Sequence, residues 1–274
     1  MVSLAMMVVA ATLLPGCNSC NKDQLTNKEV SDTIKQDLTL SPEAKNLLYE
    51  FPTPFEVTSL LEQAKAGYIF DITNPITNTG KYVTEKTKSL NLGVYSADLA
   101  YSATYNQVDN TNKFLGCTSK LADELGIAGV YHPDLVEKIK NLGNNKDSLV
   151  ALVSTVFLST NDFLSANNRN QIAIYIAAGA FVEGLYLASS LNVVASDNTQ
   201  ITTIILKQQD NYNKLVAMLE LYPNDEAMKS INDEVVKLKP LFMDYGLVEN
   251  QKLPQANADK VNDLVESVRN TLIQ

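Results

Sequence analysis

A stripe of phenol and carboxyl groups marks the middle of the chain. Tyr95, Asp98, Tyr101 and Tyr105 recur at intervals of three or four residues. At 100° per residue in a helix, their side chains lie within about 60° of one mean direction. A carboxyl group among phenols can act as a general acid or base, or it can bind a polar ligand.

Glu183 is a second carboxyl group in an unusual setting. It lies in a run of apolar and small residues that extends from residue 177 to Tyr186. A helix through this run would bury the glutamate, and a buried carboxylate must be paired, hydrogen-bonded or protonated. The six candidate ligand-binding residues are therefore Tyr95, Asp98, Tyr101, Tyr105, Glu183 and Tyr186.

The two stretches are weakly similar to each other. With one gap, four residues of the first stretch match four of the second: Gly93, Tyr95, Asp98 and Tyr101 against Gly179, Phe181, Glu183 and Tyr186. An internal duplication would produce such a match. If the two helices pack together, their polar groups would form one cluster in the core. We consider three roles for it: a structural network, a ligand pocket, or the acid–base pair of an enzyme.

Residue types that other chemistries need are scarce. His132 is the chain's one histidine, and it precedes Pro133 at an expected helix start, so we interpret it as a surface residue. Motifs for a nucleophile elbow, a zinc protease, a phosphate-binding loop or a dinucleotide fold do not occur. The Glu-x-x-His pattern of di-iron bundles does not occur either. We expect no metal or other cofactor, and we assign no catalytic residue.

The first sixteen residues have the composition of a secretion signal. They carry no charge, and their apolar run over residues 4–14 is shorter than the roughly 20 residues that span a bilayer. The run ends in Leu14-Pro15-Gly16-Cys17, which resembles the lipobox of bacterial lipoproteins. With its acidic, asparagine-rich composition, the chain resembles uncharacterised envelope lipoproteins of the Bacteroidota type. The alternative is an ordinary secretion signal with a chance cysteine.

The lipoprotein resemblance implies an anchor and a location. It implies that residues 1–16 are removed, that Cys17 is acylated, and that residues 17–26 form a polar tether. Two or more acyl chains give stable membrane anchoring. Asn18 is not the residue that retains enterobacterial lipoproteins in the inner membrane, so the resemblance implies the outer membrane.

Two further cysteines are Cys20, in the tether, and Cys117, in a helical stretch. An oxidising envelope would allow a disulfide between them, and the alternative is a buried free thiol at Cys117.

The acidic balance excludes one class of partner. The formal net charge is -9, and the loss of the uncharged segment 1–16 would leave it unchanged. A chain with this charge repels the phosphates of nucleic acid. We therefore expect no nucleic-acid partner.

Helix patterns dominate the remaining chain, and the sequence predicts an all-α bundle of eight to ten helices in one domain over residues 27–274. The pattern predicts a long helix over residues 77–105, loosened near Gly80 and Gly93. Residues 224–245 form another amphipathic segment, which Pro240 should kink or shorten. Two strongly apolar segments, residues 148–164 and 172–195, favour a central helical hairpin over a membrane span.

These features lead to one expectation about function and two alternatives. The leading hypothesis is a non-enzymatic, lipid-anchored envelope domain that binds a protein partner or a small ligand. The first alternative is a structural or assembly factor of an outer-membrane machine, which requires an exposed apolar patch. The second is an enzyme that uses Asp98 and Glu183, which requires both carboxyls to line a solvent-reachable cavity.

Overall fold

Helices form the regular structure of the computed structural model, which describes residues 42–130, 133–142 and 145–274. These residues contain no strand, and they confirm the predicted all-α bundle. They belong to one compact unit, Leu38–Gln274. The secretion segment, Cys17, Cys20 and His132 lie outside the described residues, so the predictions about them stay predictions.

The bundle is built from ten α-helices and two 3₁₀ helices within the described residues. The α-helices are α1 Pro42–Tyr49, α2 Pro54–Gln63, α3 Glu85–Thr104, α4 Val108–Glu124, α5 Pro133–Leu142, α6 Lys146–Ala166, α7 Asn170–Val194, α8 Thr199–Glu220, α9 Glu226–Val235 and α10 Gln255–Leu272. The 3₁₀ helices are Ile76–Lys81, between α2 and α3, and Val236–Phe242, after α9.

Helices α3 and α7 form the centre of the bundle. Every residue of α3 from Ser89 to Thr104 is buried, and so are most residues of α7. The helices run in the same direction, because Arg169 beside the start of α7 pairs with Glu85 at the start of α3 at 3.2 Å. Helices α2 and α6 each pack on both central helices, α4 packs on α3, and α8 and α10 pack on α7.

Two glycines allow the close approach of α3 and α7. A Cβ atom on Gly93 would lie 2.0 Å from the carbonyl oxygen of Ile176, and one on Gly179 would lie 1.9 Å from that of Leu90. Leu90 stands three residues before Gly93, and Ile176 stands three residues before Gly179. The contacts are therefore reciprocal, and they join the positions that the weak sequence similarity pairs. This pattern is locally two-fold, and the duplication stays a prediction.

The predicted start of the long helix over residues 77–105 is wrong. Residues Ile76–Lys81 form a 3₁₀ helix, and α3 begins at Glu85. The hydroxyl of Thr84 accepts the backbone N–H of Thr87 at 3.1 Å and so caps α3 there. The predicted loosening at Gly93 is also wrong, because α3 continues through this residue.

The Pro240 prediction is confirmed. Helix α9 ends at Val235, and the chain continues as the 3₁₀ helix that contains Pro240. Proline has no N–H to donate and its ring clashes with the preceding helical turn, so the α-helix cannot continue through it.

The two apolar segments form α6 and α7, which pack on each other across a three-residue connection. Both are long and apolar enough to span a membrane by length and composition. They differ in burial: 94% of the most apolar window of α7 is buried in the bundle, but only 33% of that of α6. Helix α7 is thus a core helix, whereas α6 forms part of the surface.

Candidate functional site

The candidate carboxyl groups meet between α3 and α7. Asp98 and Glu183 are both fully buried, with 0% exposure. Asp98 Oδ2 accepts the backbone N–H of Asn74 at 3.0 Å. The carboxyl of Glu183 is near enough for its negative charge to raise the pKa of Asp98. The structure thus brings together the acidic residues of the two similar stretches.

Arg269 of α10 is the positive partner of Glu183. Its Nε lies 2.5 Å from Glu183 Oε2, and its Nη2 lies 2.8 Å from Oε1. The guanidinium also lies over the ring of Tyr186, with 4.5 Å between Cζ and the ring centroid. A bidentate pair with a stacked ring satisfies both oxygens of Glu183 and offsets the cost of burying the two charges.

The cluster contains two carboxyl groups and only one guanidinium. Burial raises the pKa of Asp98 well above its usual range, and the negative charge of Glu183 raises it further. Among the described residues, Asp98 Oδ1 has no hydrogen-bond donor. A proton on Asp98 removes the need for a donor, because a carboxylic acid O–H is itself a hydrogen-bond donor. The raised pKa thus favours the neutral form of Asp98, and Glu183 is the carboxyl that pairs with Arg269.

The other polar groups of the stripe hold the segment that connects α2 to α3. The hydroxyl of Tyr95 donates to the carbonyl oxygen of Pro75 at 2.8 Å. The hydroxyl of Tyr101 accepts the N–H of Ile69 at 2.8 Å. Burial raises the pKa of both phenols, so they stay neutral. Together with the bond between Asp98 and Asn74, these contacts give the stripe a structural role.

Tyr101 and Tyr105 belong to an aromatic group around Tyr68. The ring centroids of Tyr68 and Tyr101 are 4.6 Å apart, and those of Tyr101 and Tyr105 are 5.0 Å apart. In the described part of the chain, the buried hydroxyl of Tyr105 has no hydrogen-bond partner. The structure therefore divides the candidates. Asp98, Glu183 and Tyr186 gather around Arg269, while Tyr101 and Tyr105 pack against Tyr68.

Sequence reasoning missed Arg269, although its pattern contains a signal. In α10, Val261, Val265 and Leu272 are buried, and Arg269 stands four residues after Val265 and eight after Val261. It therefore lies on the apolar face of an amphipathic helix. An arginine at such a position requires a buried anion, and Glu183 was already predicted to be buried. Asn74 was also missed, because a loop residue shows no periodicity.

The geometry limits the chemistry of this cluster. Acid–base catalysis requires that substrate reaches the carboxyls, and both have no exposed surface. The condition that we set for an enzyme using Asp98 and Glu183 is not met in this arrangement. Elsewhere in the described ranges, no group of three or more His, Cys, Asp or Glu side chains is placed to bind a metal ion.

Cys117 is a free, buried thiol in α4. It accepts a hydrogen bond from Thr79 at 3.2 Å, and burial raises its pKa. Among the described residues Cys117 is thus a buried free thiol, and the alternative of a disulfide to Cys20 lies outside them.

No family model matches this chain, and no curated protein or solved structure is significantly similar to it.

Proposed function

We propose that this protein is a non-enzymatic, lipid-anchored envelope domain that binds a protein partner through the exposed face of α6. Cys17 would carry the anchor, in the outer membrane. The observation that supports partner binding is the contrast between two helices of similar hydropathy. Helix α7 is buried in the bundle, but only a third of the apolar window of α6 is buried.

The exposed face of α6 is uncharged over most of its length. No charged residue occurs between Ser148 and Asn161. Ala151, Thr155 and Leu158 are exposed on the same side of the helix, and 47% of Leu158 is accessible. Exposed apolar faces of this kind are typical of protein–protein contacts.

A groove runs beside this face, between α2 and α6. Its volume is about 450 Å³, and its lining includes Leu60 and Gln63 of α2 and Val150 and Ser154 of α6. Leu60 is 42% exposed. At 1.5 Å per residue, the 21 residues of α6 extend for about 31 Å. An amphipathic helix laid into such a groove would use apolar side chains at helical spacing. We therefore propose a partner that presents an apolar helical face.

The same surface suits the alternative of an assembly factor. That alternative requires an exposed apolar patch on a filled core, to which Leu158 of α6 and Leu60 of α2 would contribute. The identity of the bound protein separates the two, because an assembly factor would bind a component of an outer-membrane machine.

Photo-crosslinking in intact cells tests the proposal. A benzoylphenylalanine at Leu158 in the full chain is expected to form an adduct with one defined protein. The same probe at Met243, which is 67% exposed and lies outside α6, is the matched control and should form none. Leu60→Asp places a charge in the groove and should abolish the Leu158 adduct.

Three results would contradict the proposal. The first is the absence of an adduct at Leu158, and the second is an equal yield at Met243. The third is an adduct with lipid or with a second copy of this chain, each of which is identified by its mass.

A further inference from the structure

A second concave surface lies between the 3₁₀ helix Ile76–Lys81 and α4. We refer to it as the lysine cleft. Its volume is about 370 Å³, and Lys113 and Lys120 of α4 line one wall. Thr77 and Gly80 line the other wall, and Gly116 lies between the two lysines. We propose that the lysine cleft binds a phosphate group of a small ligand, an activity beyond the partner binding proposed above and independent of it.

The charges of the two lysines are available to a ligand. Lys120 lies 3.9 Å from Glu124, but Lys88 neutralises the same glutamate at 3.0 Å. Lys113 is exposed and forms no ion pair with any described residue within 4.0 Å. Lysine ammonium groups bind phosphate as point charges, and a nearby hydroxyl such as that of Thr77 can donate to a phosphate oxygen.

Two glycines border the open space of the cleft. A Cβ atom added to Gly80 or to Gly116 would meet no atom within 4 Å. A phosphate can therefore approach the backbone at both positions without meeting a side chain.

The wall opposite α4 is held in place from the core. Tyr95 bonds the carbonyl oxygen of Pro75, and Asp98 bonds the N–H of Asn74. Thr79 bonds the carbonyl oxygen of Ile76 at 2.6 Å and contacts the thiol of Cys117 at 3.2 Å. Tyr95 and Asp98 of α3 thus fix the position of this wall, although they do not line the cleft. A wall held in this way loses little conformational entropy on binding.

The net charge of -9 repels anions in general, so Lys113 and Lys120 must supply the local positive charge that a phosphate needs.

Titration of the full chain with inorganic phosphate, at constant ionic strength, tests the proposal. We expect saturable shifts of the Gly80 and Gly116 amide resonances. The double variant Lys113→Gln/Lys120→Gln should bind at least ten-fold more weakly. The matched control, Lys229→Gln/Lys260→Gln, removes the same charge from exposed positions outside the cleft and should bind like the unmodified chain.

A second variant separates a shaped site from simple charge attraction. Gly116→Leu fills the cleft and keeps both lysines, and it should fold, because leucine favours a helix more than glycine does. We expect it to abolish binding. Vesicles of phosphatidylcholine with and without phosphatidylglycerol then show whether a lipid headgroup supplies the phosphate, through a response that the same variants remove.

Three outcomes would overturn the proposal. One is the absence of saturable binding to both inorganic phosphate and anionic vesicles. Another is an equal loss of affinity in the Lys229/Lys260 control. The third is unchanged binding in Gly116→Leu, which would mean that the lysines act as unshaped surface charge.

Discussion

At the scale of single residues, the core depends on how three ionisable groups are balanced. Glu183 is paired with Arg269, and burial beside this pair raises the pKa of Asp98 and favours its neutral form. Removing one member of a buried pair leaves an unpaired buried charge, which typically costs about 3–5 kcal/mol. Burying these groups is therefore costly, but the cost is offset because every charge has a partner and the remaining carboxyl, that of Asp98, stays neutral.

The raised pKa of Asp98 predicts that the free energy of unfolding depends on pH. Its pKa is raised in the folded chain, so folding retains a proton that the unfolded chain has lost above about pH 3.9. The stability that this proton contributes is complete below about pH 3.9, and it is lost as the pH rises through the pKa that Asp98 has in the folded chain. Asp98→Asn removes it, and its amide can still donate to Glu183 and accept from Asn74. We expect the variant to gain stability relative to the wild type between pH 5 and pH 8, measured from urea midpoints.

The control for this experiment is Asp244→Asn, which removes one carboxyl from an exposed position. Its stability relative to the wild type should change little over the same range. A gain for Asp98→Asn that stays constant or shrinks with rising pH would show that Asp98 is already ionised.

At the scale of the helices, the contact between α3 and α7 decides the packing. Both backbones approach at glycines, and each glycine faces a carbonyl of the other helix. Since a carbonyl in a helix cannot move without breaking its hydrogen bond, neither position has space for a side chain. The polar groups of both helices are positioned by this contact.

Substitution of these glycines gives a direct test. Gly93→Ala or Gly179→Ala places a methyl group against backbone, and each should lower the free energy of unfolding by about 1–3 kcal/mol or more. Gly184→Ala in α7 is the matched control, because its Cβ atom would meet nothing within 4 Å. It should be neutral or stabilise the protein by up to about 1 kcal/mol through helix propensity. Urea unfolding compares the three, and equal effects at all of them would contradict the close-contact explanation.

At the scale of the whole molecule, an acidic helical bundle has its polar cluster inside and an uncharged apolar face outside. The buried carboxyls serve the packing of α3, α7 and α10. The exposed side of α6 and the lysine cleft are the two surfaces on which we propose that other molecules bind.

The proposed anchor is tested by the two cysteines near the start of the chain. In a bacterial host, Cys17→Ser should abolish incorporation of labelled palmitate and release the protein from the membrane fraction, because it removes the proposed site of acylation. Cys20→Ser removes a thiol three residues later and should leave both unchanged. Labelling that persists in Cys17→Ser, or is lost in Cys20→Ser, would contradict the assignment.

The sequence by itself determined the helical class, most helix positions and the burial of Glu183, because apolar periodicity and caps are local signals. It also singled out Asp98 and its neighbours as unusual. It did not distinguish the burial of α6 from that of α7, since both are apolar and burial depends on what packs against them. Nor did it predict that Asn74 and Arg269 meet Asp98 and Glu183. Those contacts join residues far apart in the chain, and only the tertiary packing of the connecting segment on α3 and of α10 on α7 brings them within hydrogen-bond distance.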